Sequence, residues 1–256
     1  NHSSGGNNDY IEADNGGAGV TLRTDAGTTD ANITINLAFE DGTSEEDITL
    51  QAGSGDVDVN NTIGAADAVS LLTVIGAAVD FEGSVDASGV RVTGSTSIGI
   101  DDDNTGNSVT LDINGIESWF ESPAMAADGT ASIEDSAGGS VRFSIRPITA
   151  GTAFDVGDGS DGGTVEVSNS FLESIAASIP LVEIGHDTGQ NGAGSNQTGT
   201  ITINSGGSVS IAAPVTVPAE GATVNIANTL TLSQAGDSFI LNGNGTSIGA
   251  TRSVTR

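Results

Sequence analysis

Apolar residues recur at every second position in short runs along almost the whole chain. Clear cases are Val20-Thr-Leu-Arg-Thr24, Ile33-Thr-Ile-Asn-Leu37, Asp47-Ile-Thr-Leu-Gln51, Ser108-Val-Thr-Leu-Asp-Ile113, Thr200-Ile-Thr-Ile-Asn204 and Thr223-Val-Asn-Ile226. In a strand, successive side chains point to opposite faces, so each run buries Val, Ile, Leu or Phe and leaves Thr, Ser, Asn or Asp outside. β-branched residues dominate these runs, as a pleated half-buried surface prefers. Between them lie turn sequences such as Ala52-Gly-Ser-Gly-Asp56, Ser205-Gly-Gly207 and Asn242-Gly-Asn-Gly245. Runs starting about 8 to 12 residues apart with such punctuation specify an all-β chain.

Two architectures suit this texture over 256 residues. One is a β-solenoid, a parallel β-helix-like rod; the other is two β-sandwich domains. The frame x-Ile-Thr-Ile/Leu, Gly, Val-x-Val/Ile returns at 47–75, 108–113 and 200–232 and favours the solenoid. A coil of about 20 to 25 residues gives roughly 10 to 12 coils, and strand spacing of ~4.8 Å then makes a rod on the order of 50 Å. On this reading residues 1–256 form a single elongated domain. A break or cap falls at 115–139, where Trp119, Phe120, Pro123 and Met125 gather in a chain otherwise poor in bulky residues. One further segment departs from strand texture. Ser170-Phe-Leu-Glu173 has the form of a capping box, and Phe171, Leu172, Ile175 and Ile179 follow at helical spacing, which predicts a helical turn or two over 170–178.

Charge excludes several function classes. Asp and Glu total 34 against six basic residues, all Arg, for a net −28. Such a chain lacks the basic footprint that phosphate requires, so no nucleic acid is expected as a partner. An anionic membrane surface would repel it. Its longest apolar run, Ala68 to Phe81, is broken by Ser70, Thr73, Gly76 and Asp80 and falls short of the about 20 residues of a membrane span. With no Cys there is no disulfide framework and no thiolate metal site. The first residues carry no charged segment followed by an apolar one. With Asn1 and not Met at the start, the expectation is a processed chain or a piece of a longer one.

A resemblance adds to this reading. Leu181-Val-Glu-Ile-Gly-His186, a Gly/Asn-rich spacer, then Thr200-Ile-Thr-Ile-Asn-Ser-Gly-Gly-Ser-Val-Ser-Ile211 resembles filamentous-haemagglutinin-type repeats of giant bacterial surface adhesins. The stretch Asp47–Asp86 has the same cadence; the region 115–146 departs from it. The resemblance implies a secreted, cell-surface β-solenoid serving as stalk, fibre or adhesive surface. It carries over no catalytic residue.

The residues themselves offer little for catalysis, and no enzyme activity is expected. His2 lies at the terminus, and His186 sits beside Asp187 in a Gly-rich turn without a Gly-x-Ser-x-Gly elbow. Arg142 and Arg146 share one face of a strand, where they would grip an anion or pair with local carboxylates. Calcium is the one cofactor the sequence suggests, because hard cations take oxygens from Asp- and Gly-rich loops. The candidate ligands are Asp101, Asp102 and Asp103 in one loop and Asp155, Asp158 and Asp161 in another. Trp119 and Phe120 form a candidate ligand patch for surface glycans. The remaining partners expected are copies of the chain itself, or neighbouring repeats of a longer chain, joined through strand edges. The primary expectation is thus a self-associating structural or adhesive protein; a glycan-binding adhesin module and a carbohydrate-active β-helix enzyme are the alternatives.

Overall fold

The computed structural model describes residues 2–4, 9–13, 19–25, 30–41, 46–101, 108–128, 130–139, 142–157, 165–187, 195–203, 207–218, 222–234, 238–242, 248–249 and 254–255. Strand β1 (His2–Ser4) runs antiparallel to β2 (Asp9–Ala13). Every other pairing among the described strands is parallel. The chain then winds through β3 (Val20–Arg23), β4 (Ile33–Ile35), β5 (Ala38–Asp41), β6 (Asp47–Gln51) and β7 (Val57–Val59). Two long strands follow, β8 (Val69–Phe81) and β9 (Val85–Ile100). Next come β10 (Thr110–Ile113), β11 (Ser118–Glu121), β12 (Ala124–Ala127), β13 (Ser132–Glu134), β14 (Arg142–Arg146), β15 (Phe154–Val156) and β16 (Val165–Val167). Helix α1 (Asn169–Glu173) leads to β17 (Leu181–Ile184), β18 (Ile201–Ile203), β19 (Val209–Ile211) and β20 (Val215–Pro218). The last elements are β21 (Val224–Ile226), β22 (Leu230–Leu232), β23 (Phe239–Asn242), β24 (Ile248–Gly249) and β25 (Val254–Thr255).

These strands stack coil upon coil on three faces. The first face runs β3, β6, β8, β9, β11, β14, β17, β20, β23. The second runs β4, β7, β8, β9, β12, β16, β15, β18, β21, β24. The third joins β2, β5, Ile63, the start of β9, β10, β13 and Ile175, and continues separately as β19, β22, β25. Because β8 and β9 serve more than one face, the hydrogen-bonded network closes around the axis. It is a β-solenoid, and the sandwich alternative is set aside. Coils differ in length: the turn that brings Val90 onto Leu72 is short, whereas the one that brings Val182 onto Phe143 holds two further strands and a helix. The expected coil of about 20 to 25 residues is therefore not kept throughout. The first face stacks nine described strands, a rise of roughly 38 Å at strand spacing.

Period-2 alternation explains the core. Ile48 and Leu50, Leu72 and Val74, Val90 and Val92, Val57 and Val59, Ile201 and Ile203 all turn inward and are fully buried. Four aromatic rings fill the middle of the stack. Phe120 lies 6.4 Å from Phe81, 5.2 Å edge-on from Phe143 and 5.9 Å from Phe171. Outside, polar ladders follow the same register: Asp58 accepts from Thr34 at 3.2 Å, Asn60 donates to Asn36 at 2.9 Å, and Ser54 donates twice to Asp30.

Two local expectations are corrected. The Trp119 segment, expected within a break or cap at 115–139, is strand β11, paired on one side with β9 and on the other with β14. The helical segment is only α1: Ser168, not Ser170, is its N-cap and accepts from the Phe171 N–H at 3.0 Å. The chain leaves the helix by Ile175, which bridges to Ile133.

One irregularity shapes the molecule. On the first face β11, β14 and β17 are consecutive, yet on the second face two strands, β16 and β15, lie between β12 and β18. β15 precedes β16 in the chain but stacks above it. On the third face α1 packs against both β12 and β19. The second face thus gains one strand spacing, about 5 Å, that the first face lacks.

Candidate functional site

The outer side of that first face collects the rarest side chains of the molecule. Arg91, Trp119, Ser144, Glu183 and Thr216 follow one another in register across β9, β11, β14, β17 and β20. Beside them Thr93, Glu121 and Arg146 form a second row. Three of the six Arg and the single Trp of a chain with net charge −28 therefore share one surface.

Strand register supplies the contacts. The guanidinium carbons of Arg91 and Arg146, from the coils on either side, lie 4.3 and 4.6 Å from the Trp119 ring centroid. A cation over an indole face is worth about 0.5–2 kcal/mol, more as water is removed. Arg146 Nε donates to Glu121 Oε1 at 2.5 Å and is almost wholly buried. Arg142 is the hub of a second cluster. Its Nη1 donates to Glu183 Oε2 at 2.7 Å, while Glu117 and Asp187 each approach it at 3.6 Å. Burial drives the Glu183 carboxyl up to about 7, against the pull of Arg142; Asp187 and Glu117 push the same way as burial. His186 is held below its ordinary range, first by burial. Its Nε2 meets the Pro147 carbonyl, which only accepts, so Nε2 carries the proton and Nδ1 keeps a bare lone pair.

Several buried atoms here have no hydrogen-bond partner among the described residues: Glu183 Oε1, His186 Nδ1, Gln197 Oε1 and Arg91 Nε. Leaving such an atom unpaired costs about 1–3 kcal/mol, so a stack selected for stability alone would not keep several together.

The sequence-derived candidates fare differently. Trp119 is half-buried on the outer face, but Phe120 points inward at 1% exposure and is lost to any ligand patch. Arg142 and Arg146 do share the face and pair with carboxylates. His186, expected in a Gly-rich turn, is buried just after β17. Asp101 is fully buried with φ 50° and accepts from Thr130 Oγ1 at 2.6 Å. Asp155, expected in a loop, is a buried residue of β15, in register with Glu166 and Thr202. Asp102, Asp103, Asp158 and Asp161 lie outside the described residues. Among the described residues no group of three or more His, Cys, Asp or Glu is placed to hold a metal ion. A shallow cavity of about 190 Å³ lies away from these clusters, on the third face beside Thr62, Ser84, Asp86 and Asp112. There burial, and then Asp112, raise the Asp86 carboxyl.

Arg91, Glu117, Glu121 and Glu183 were not identifiable as site residues from sequence. Their meeting depends on a register that coils of unequal length hide. Comparison of the chain with protein-family models, with curated proteins and with solved structures finds no match.

Proposed function

We propose that the chain is a structural or adhesive element of a cell surface: a stiff β-solenoid stalk or fibre segment that associates with copies of itself or with neighbouring repeats. The supporting observation is the parallel ladder carried from Val20 to Asn242 on a single face. Each coil is bonded to the next along the axis, so bending and pulling loads are shared among many main-chain hydrogen bonds. The outer rows of Thr, Asn and Asp keep that ladder hydrated, and the net charge of −28 keeps lateral contacts between rods sparse. Association then runs through strand edges, where unpaired N–H and C=O groups template a further strand.

Negative-stain electron microscopy of the purified chain, with millimolar calcium and with a chelator, tests this reading. Rods joined end to end or filaments support it, and their loss in chelator adds calcium to the assembly. Isolated particles without end-to-end contact under every condition contradict self-association.

A further inference from the structure

We propose that the outer side of the first face, around Arg91, Trp119, Glu117, Arg142 and Glu183, is a binding site for a neutral, hydroxyl-rich glycan. This inference stands apart from the rod-and-fibre reading, since a stiff segment requires no such surface.

The ligand class follows from what the site leaves unsatisfied. Arg91 forms no ion pair within 4 Å among the described residues, and its Nε is buried without a hydrogen-bond partner. Across the patch, Glu183 Oε1 and His186 Nδ1 are buried acceptors without partners. Glu117 Oε1 reaches Arg142 only at 3.6 Å, beyond hydrogen-bond range. A complementary molecule must therefore both accept and donate. A sugar hydroxyl does both, whereas a simple cation would meet three guanidinium groups.

Charge selects among glycans. Arg142 and Arg146 are already matched by Glu183 and Glu121, so the patch offers no net positive charge. A sulfated or uronic-acid polymer would also have to approach a molecule carrying −28. A neutral chain meets neither obstacle. Because Trp119 is held between two guanidinium groups, recognition here is by hydrogen bonds, with the indole fixing the two arginines in place. Arg142, Glu117 and Asp187 keep 31%, 23% and 34% of their side-chain surface exposed and form the accessible rim, with Glu183 behind them.

The test is a titration of the full chain, by calorimetry, against neutral, sulfated and uronic-acid oligosaccharides. Binding of at least one neutral oligosaccharide is expected, weakened about tenfold or more in Arg91→Gln and in Glu183→Gln, each losing a charge-assisted hydrogen bond. Both variants should still unfold in one cooperative transition, as a folded chain does, and Thr34→Ala, on the second face, should bind normally. The proposal is overturned by binding confined to the charged oligosaccharides, by binding that both variants retain, or by no binding to any of them.

Discussion

Phe143 and Val182 are direct neighbours across the first-face ladder, although the chain makes its longest excursion between neighbours of that face there. The intervening segment leaves the stack after β14, contributes β15, β16 and α1 to the other two faces, and returns one coil higher. That detour supplies the extra strand that the second face holds between β12 and β18. The coils flanking it also carry the central aromatic cluster and the Arg142 hub.

The first prediction separates the two adjacent aromatics of β11. Phe120→Ala removes a buried ring that touches three others and should cost about 3–5 kcal/mol. Trp119→Ala removes an outer ring held by two cations and should cost about 1–2 kcal/mol. Chemical denaturation of both variants checks the difference, and equal costs would refute the inward–outward assignment of β11.

The second prediction concerns pH. The Glu183 carboxyl rises from an ordinary 4.5 to about 7. A raised native value means the folded chain binds that proton more tightly than the unfolded chain. Its stabilising contribution is complete below about pH 4.5 and is lost as pH rises through 7. His186, held low by burial, acts in the opposite sense: its contribution is present above its ordinary 6.5 and is lost as pH falls. The stability of the wild type relative to Glu183→Gln should therefore decline from pH 5 to pH 8. Unfolding midpoints at both pH values measure it; a flat difference would show Glu183 to be ordinary.

How much of this was legible beforehand varied with the residue. Ile33, Ile35, Ile201 and Ile203 declared themselves as inward strand positions because alternation needs only local information. The α1 turn was legible too, since capping is local, although the cap proved to be Ser168. Trp119 misled, because a bulky residue beside Pro123 suggests irregularity while the outer side of a ladder accepts it without strain. The partnership of Arg91, Trp119 and Arg146 was hidden altogether. It depends on the unequal lengths of the coils that join Arg91 to Trp119 and Ser118 to Phe143, which no local pattern sets.

A third prediction uses glycine to probe the close approach of coils. Gly64 has φ +76°, and a Cβ there would lie 2.2 Å from the Asp86 carbonyl oxygen of the next coil. Gly138 has φ +68° with open space around it. Gly64→Ala should cost roughly 2–4 kcal/mol, from backbone strain and a clash together. Gly138→Ala should cost about 1 kcal/mol from strain alone. Thermal melting of the two variants gives the comparison, and similar losses would mean that the Gly64 coil is not packed against Asp86.

The stacking itself is open to direct measurement, helped by the absence of any native Cys. Spin labels attached at Thr34→Cys and Thr202→Cys would sit seven strand steps apart on the second face, roughly 34 Å, and at Thr34→Cys and Asn225→Cys eight steps apart, roughly 38 Å. Pulsed electron resonance should return those distances, with the second exceeding the first by about one strand spacing. Two distances that fail to grow with coil number, or that both fall far short of those values, would contradict a stacked solenoid.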